Sequence, residues 1–425
     1  MTMVNAYDGS DDQLDPRTRA LIARRARALG PAYRLFYQHP LEFARADGVY
    51  LYDRDGAAYL DAYNNVASVG HCHPRIVAAI AAQAATLNTH TRYLHEITID
   101  YAERLLTKLG APLDHVMFTC TGSEANDLAL RIARAHTKGV GVVVTQNAYH
   151  GVTQALAELS PSLGRAVEIG PHVRVVPPPA AGATGEAFAE QVADAFRELR
   201  IAGIKPAALL VDTIFSSDGV FVDPAGFLGS AVDAARRAGA LFIADEVQAG
   251  FARTGSQFWG FARHGLAPDI VTMGKPMGNG HPLGGVAVKA KVVEAFGQSC
   301  RYFNTFGGNP VSCAAGMAVL DVIEEEALQA NAARTGALLA SALKGVSARH
   351  ACMGEVRGAG LFYAVDIAGG AALAARIVNG VRDKRVLISA TGVNGDILKI
   401  RPPLVFTSSH VDQLITALDE VAAAI

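Results

Sequence analysis

Residues 241–276 read LFIADEVQAGFARTGSQFWGFARHGLAPDIVTMGKP. Two short apolar runs stand at the ends of this stretch. Leu241-Phe242-Ile243-Ala244 stops at Asp245, and Pro268-Asp269-Ile270-Val271-Thr272-Met273 stops at Gly274-Lys275. Runs this short and this apolar predict buried strands. A carboxylate just past one strand and an amine just past another then share one edge of a sheet, where open α/β folds bind ligands.

Further apolar runs predict strands over 116–119, 140–145, 173–176, 208–211 and 285–288, with helices over 122–136, 186–203 and 226–239. Alternation of this kind implies an α/β fold whose mainly parallel sheet is covered by helices on both faces. After a helix from about Pro310 the pattern changes. Strands near 361–366, 385–388 and 397–400, with helices over 370–384 and 410–424, predict a smaller α+β domain. At the other end, a polar lead and one helix stop at Gly30-Pro31. The alternating residues 41–62, with a turn at Asp55-Gly56, predict a hairpin. The expected division is therefore an N-terminal segment of the small domain at 1–63, a large domain at 64–318 and the rest of the small domain at 319–425. Pro177-Pro178-Pro179 and the glycines at 182 and 185 mark a surface loop.

Composition narrows the function classes. With 38 basic and 40 acidic residues the net charge of −2 gives no reason to expect nucleic acid or an anionic membrane as partner. No apolar run approaches the roughly 20 residues of a membrane span. The polar, acidic start resembles no secretion or transit signal. Five cysteines without a paired spacing fit a reducing cytoplasm. Gly70-His71-Cys72-His73-Pro74 holds two His and one Cys too tightly for a structural zinc site, so no metal is expected.

Alone, Asp245 reads as a cap and Lys275 as a surface charge. Together they suit one cofactor. Pyridoxal phosphate forms a Schiff base with a lysine and pairs its pyridinium nitrogen with an acid. A carboxylate there keeps the nitrogen protonated, and the ring then draws electrons from a carbanion at the substrate carbon. Thr121-Gly122-Ser123-Glu124-Ala125-Asn126 follows a strand and opens a helix, which makes an anion site for a phosphate. Tyr149 offers a ring to stack on a flat cofactor, with His150 beside it.

Ala244-Asp245-Glu246-Val247-Gln248, Phe258-Trp259 and Gly274-Lys275 resemble, in order, the class III aminotransferases, a family of pyridoxal phosphate enzymes of fold type I. The resemblance runs from about Leu41 to near the C-terminus. It implies that Lys275 and Asp245 are the catalytic pair and that Gly122 and Ser123 hold the cofactor phosphate. Tyr149, His150, Val247, Gln248 and Asp212 would contact the cofactor as well. Thr305, in Asn304-Thr305-Phe306-Gly307-Gly308-Asn309-Pro310, would reach the phosphate of a neighbouring subunit. A homodimer or dimer of dimers with shared active sites follows. Arg401, in Leu398-Lys399-Ile400-Arg401-Pro402-Pro403, would anchor a substrate carboxylate as a two-pronged donor.

Departures from the family bear on substrate. Ser217 stands where GABA and ornithine aminotransferases carry a Glu that pairs with the carboxylate Arg. Val152 stands where they carry an Arg for the distal carboxylate. Both argue against those activities. Asn64-Asn65-Val66 with the GHCHP turn, Arg92-Tyr93-Leu94-His95, TMGKPMGNGHP (272–282) and FNTFGGNPVSC (303–313) resemble a particular branch. It contains ethanolamine-phosphate phospho-lyases and alanine–glyoxylate-type aminotransferases, and it makes Asn65 and Arg92 substrate-contact candidates. The eukaryotic phospho-lyases carry Lys at the place of Arg401. Three readings stay open. The first is an aminotransferase that moves an amino group from an amine or amino acid to a keto acid or glyoxylate. The second is a phospho-lyase that eliminates phosphate and ammonia. The third is a non-catalytic nucleotide-binding scaffold, which leaves the Asp245–Lys275 pair without a role.

Overall fold

A computed structural model describes residues 3–9, 14–110, 112–179 and 184–425. Part of the acidic lead (10–13) and part of the loop expected at 177–185 (180–183) lie outside the described residues.

Seven strands form the large sheet. From edge to edge they are His115–Thr119, Gly284–Val288, Ile270–Met273, Leu241–Asp245, Pro206–Asp212, Gly141–Thr145 and Val173–Val176. The last five pair in parallel. Gly284–Val288 runs antiparallel to both of its neighbours. The cause is local. The chain turns back after Lys275 through a short 3-10 helix, Lys275–Gly278, and a tight loop, with no crossover helix. Antiparallel neighbours need no crossover, whereas parallel ones do.

The strands are apolar throughout because both faces are covered. Ala208, Leu210, Ile243, Ile270 and Val286 pack with Leu128, Ala129 and Ile132 of the helix Gly122–Thr137. Their alternate neighbours Leu209, Val211, Phe242, Ala244 and Val271 face the other way, against Val192, Phe196, Ala231 and Val319. These belong to the helices Gly185–Ile201, Gly229–Arg237 and Pro310–Glu325. A one-residue shift in any central strand would exchange the two faces, so burial on both sides fixes register only together with side-chain shape.

The rest of the chain builds two four-stranded sheets. Met353–Ala359, Phe362–Ile367, Ile397–Ile400 and Ser389–Thr391 form one, all antiparallel. Phe43–Asp47, Tyr50–Asp53 and Ala58–Asp61 form a meander where a two-stranded hairpin was expected, and Val386–Leu387 joins its edge in parallel. The strand expected over 385–388 is found as Val386–Leu387, and just past it an unexpected strand, Ser389–Thr391, joins the other sheet. We propose that these two sheets and their helices form the small domain, assembled from both ends of the chain. The N-terminal helix Pro16–Leu29, capped by Asp15, buries none of its residues.

Candidate active site

A cavity of about 270 Å³ opens at the carboxyl ends of the parallel strands. Lys275, Asp245, Asp212, Gly122, Ser123, Tyr149, His150, Val247 and Gln248 all line it. The sheet explains why residues so far apart in sequence meet. Asp212 and Asp245 end adjacent parallel strands in direct register, and Asp245 is also paired with Thr272. Lys275 follows at the next turn.

Asp245 is 4 % exposed. Its Oδ2 accepts from Nδ2 of Asn126 at 2.9 Å and from Nδ1 of His150 at 2.8 Å, and its Oδ1 accepts from the Val247 amide at 3.0 Å. Asn126 is itself fixed. It donates to the His150 carbonyl at 2.8 Å and accepts from Oγ1 of Thr272 at 2.7 Å. The carboxylate therefore has one orientation, set from three elements. Nε2 of His150 is buried without a partner among the described residues.

Lys275 holds its Nζ 5.9 Å from the centre of the Tyr149 ring. Burial pushes the amine's pKa down, the nearby Arg401 adds to that, and Asp245 and Asp212 oppose it. A lowered pKa raises the fraction of neutral amine, which is the nucleophilic form. Asp212 accepts from the amides of Ile214 and Ser216 at 3.1 and 3.0 Å and from the Ser216 hydroxyl. Burial, with Asp245 nearby, pushes its pKa up.

The helix Gly122–Thr137 points its N-terminus into the cavity wall. Thr121 caps it through the Glu124 amide at 3.1 Å, and the first N–H groups of any helix lack intrahelical partners. Space there is guarded by absent side chains. A Cβ on Gly122 would stand 2.9 Å from Cγ2 of Val247, and one on Gly151 would stand 2.7 Å from Oγ of Ser123. An acid for a ring nitrogen, an amine for an aldehyde and a helix N-terminus for a phosphate thus share one cavity. That donor set fits pyridoxal phosphate.

Arg401 is 8 % exposed and lies behind Gln248. Its Nε donates to the Tyr63 carbonyl at 2.7 Å, its Nη1 donates to Oε1 of Gln248, and its guanidinium lies 4.7 Å over the Tyr63 ring. Gln248 donates onward to Oγ of Ser216 at 2.5 Å. Lys399 is buried nearby, with Nζ 5.7 Å over the Phe362 ring. Burial pushes its pKa well below the usual lysine range, Arg401 adds to that, and Asp212 and Asp218 oppose it. Among the described residues neither cation forms an ion pair with a carboxylate.

Four expected site residues do not line the cavity within one chain: Arg401, which stands behind Gln248, and Asn65, Arg92 and Thr305. Asn65 is buried, and its neighbour Val66 takes the lining position. Arg92 is exposed and stacks on the Phe303 ring at 3.8 Å. Thr305 is exposed on the loop before the helix Pro310–Glu325. In the other direction, Asn126, Cys120 and His281 line the cavity without having been singled out, and Thr272 and Lys399 stand behind it, the one bonded to Asn126 and the other near Asp212 and Lys275. Lys399 had a readable signal, since it stands two residues before Arg401 and alternate residues of a strand share a face. The GHCHP turn is occupied by other contacts. His71 pairs with Asp61 at 2.7 Å and His73 with Glu326 at 3.1 Å.

Comparison with known proteins agrees with this geometry. The model of the family described as Aminotransferase class-III matches residues 36–422. The chain is 38 % identical over 429 residues to "Alanine--glyoxylate aminotransferase 2-like" of Drosophila melanogaster, covering 95 % of this chain and 87 % of that one. It is 36 % identical to "Ethanolamine-phosphate phospho-lyase homolog 1" of Caenorhabditis elegans, over 94 % and 92 % of the two chains. Among solved structures, a phospholyase from Arthrobacter in complex with phosphoethanolamine superposes with a TM-score of 0.91 at 42 % identity, covering 95 % of this chain and all of that one. The chain therefore belongs to the pyridoxal phosphate-dependent class III aminotransferases and has the fold type I architecture.

Proposed function

We propose that the protein is a phospho-lyase that eliminates phosphate from a short O-phosphorylated amino alcohol such as ethanolamine phosphate. One observation carries the reading: two buried basic side chains, Arg401 and Lys399, stand side by side behind the Gln248 wall of the Lys275 cavity, and among the described residues no carboxylate is ion-paired to either. A lone arginine fork suits a monoanionic carboxylate, whereas two adjacent cations suit a phosphate dianion. A bound dianion would also offset the burial that depresses the Lys399 amine. The similarity to a phospholyase with phosphoethanolamine bound supports the same substrate class.

The chain's own residues then take these parts. Asp245, fixed by Asn126 and His150, holds a proton on the ring nitrogen. Gly122, Ser123 and the helix N-terminus hold the cofactor phosphate, and Tyr149 and Val247 bound the ring faces. When bound, the cofactor supplies an electron sink at the substrate amine carbon. Lys275 takes the proton from that carbon. The C–H electron pair becomes a carbon–carbon double bond as the Cβ–O bond breaks, and inorganic phosphate leaves between Arg401 and Lys399. A proton returned to the terminal carbon, which Lys275 is placed to supply, gives the imine, and water hydrolyses it to aldehyde and ammonia.

Aminotransfer is the second reading. It is favoured by the Arg401 fork and by the relatives named for alanine–glyoxylate transfer. The deciding experiment incubates the yellow enzyme with ethanolamine phosphate and no amino acceptor. Stoichiometric acetaldehyde, phosphate and ammonia are expected. No phosphate release, together with alanine and glyoxylate exchanging an amino group, would replace elimination by transfer.

We further infer that the working unit is at least a dimer. Thr305 stands on a surface that also exposes Tyr93, Leu94, Phe303 and Phe306, which suits a partner subunit. The five free cysteines suit a reducing compartment, and we place the protein in the cytoplasm. Among the described residues no helix is long and apolar enough to cross a membrane.

A further inference from the structure

We propose that Asp61 and His71 are a positioning pair that sets the place of Arg401 and thereby the affinity for the substrate anion. The proposal rests on the reading of Arg401 as part of the anion site.

The connection runs through one loop, residues 61–71. Asp61 is fully buried. Its Oδ1 accepts from the amides of Tyr63 and Asn64 at 3.0 and 2.8 Å, which folds the chain sharply just past the strand Ala58–Asp61. Its Oδ2 is taken by Nε2 of His71 at 2.7 Å. Both carboxylate oxygens are thus committed, and the turn cannot rotate without breaking one of these bonds. The turn delivers two carbonyls to Arg401. Ala62 accepts from the Arg401 amide at 2.8 Å, and Tyr63 accepts from Nε at 2.7 Å. The Tyr63 ring lies under the same guanidinium at 4.7 Å. Three contacts to Arg401 therefore hang on the geometry that Asp61 imposes.

The same loop is tied to the turn that carries Lys275. Asn279, in left-handed backbone at φ 50, accepts from the Val69 amide at 2.9 Å and donates to the Gly70 carbonyl at 2.7 Å. Val66 lines the cavity, held by Oδ1 of Asn64 at 2.9 Å. Residues 61–71 therefore bridge the anion-binding arginine and the lysine turn. His71 sits at the far end of that bridge, and its Nε2 contact with Asp61 is the bond that substitution can remove while sparing both reacting groups. A cation held in a fixed place loses less freedom when it meets its anion, so a misplaced Arg401 weakens binding before it slows chemistry.

The test compares wild type, His71→Ala, His71→Gln and His71→Asn in the cofactor-loaded enzyme. Gln places an amide N–H where Nε2 stands, whereas Asn and Ala do not reach Asp61. His71→Ala and His71→Asn are expected to raise KM for ethanolamine phosphate about tenfold with kcat within about twofold, as loss of a bond to a buried charge predicts. The absorbance of the bound cofactor should stay unchanged, and His71→Gln should return KM to near the wild-type value. An unmoved KM in the Ala and Asn variants overturns the proposal. So does a joint fall of kcat, melting temperature and cofactor absorbance that Gln fails to rescue, which is the mark of a purely structural pair. Should His71→Ala fail to fold, the Gln–Asn comparison carries the same decision. If wild type itself releases no phosphate, the phospho-lyase reading fails alone. KM for alanine in the transfer half-reaction then replaces KM for ethanolamine phosphate, with the same expected and overturning outcomes.

Discussion

Asp245 owes its orientation to Asn126 and His150, and its value to its charge. Asp245→Asn keeps the size of the group and can keep the bonds from Asn126 and His150, while it loses the one from the Val247 amide. It removes the charge that favours a protonated ring nitrogen. Turnover is expected to fall at least about 100-fold while the far-UV spectrum stays unchanged, in line with the loss of one preorganised electrostatic partner. Near-normal turnover would contradict that role. Lys399 gives a second prediction. Lys399→Met keeps length and apolar volume and removes the charge. KM for ethanolamine phosphate should rise about tenfold or more, as expected when a buried anion loses one of two cations. If steady-state kinetics show KM unchanged, the second cation has no part in binding. At this scale the sequence was partly legible. Lys275, Asp245 and the Gly122-Ser123 turn stand in contiguous motifs. Asn126 was not legible as a partner, because it meets Asp245 across 119 positions, and Thr272 meets Asn126 across 146. Such pairings depend on which strands become neighbours, which local pattern does not state.

The helix Gly122–Thr137 works as an element, through the close approach of its first turn to the loop after Asp245. A Cβ on Gly122 has no room against Val247. Gly122→Ala should therefore weaken cofactor affinity about tenfold, measured by titration of the apoprotein, and Val247→Ala in the same chain should recover part of the loss. Strict additivity of the two changes would refute a steric cause. The loop after Pro206–Asp212 supplies a pH prediction. Asp218 accepts from Oγ1 of Thr145 at 2.6 Å and from the Asn147 amide at 2.8 Å, yet burial pushes its pKa up to about 6. The folded state thus keeps a proton that the unfolded chain releases near 3.8, so this group's contribution to stability falls as pH rises from about 4 to about 6. Asp218→Asn removes that dependence. Its melting temperature relative to wild type should climb through this window and then level, by a difference worth about 1–3 kcal/mol. A flat difference would show that Asp218 is already ionised at pH 4. Among elements, the parallel strands were the most legible, since apolar runs bounded by Gly, Pro and Asp mark them. Gly284–Val288 was legible as a strand and its direction was not. The division of 385–391 between two sheets follows from partners that local sequence does not name.

For the molecule as a whole, the surface around Thr305 predicts self-association. Sedimentation of the active enzyme should give a dimer or larger, and Thr305→Ala should weaken cofactor retention without monomerising the protein. An active monomer at assay concentration would contradict shared sites. The change of pattern after Pro310 was readable, and the two-domain division we propose rests on it. The closure of the N-terminal meander by Val386–Leu387 was not, because a two-residue strand carries too little periodicity. That closure, with the bond from Arg401 to the Tyr63 carbonyl 338 positions earlier, has a temporal meaning. On a ribosome adding about 5–20 residues per second, the carbonyl waits on the order of 15–70 s for its arginine. The large sheet can form during that interval, and the cavity with Lys275 and Asp245 can form with it. The anion site cannot. The growing chain thus completes the residues of the Lys275 cavity before it completes the contacts that place Arg401, so the proposed anion site is assembled after the cavity it serves.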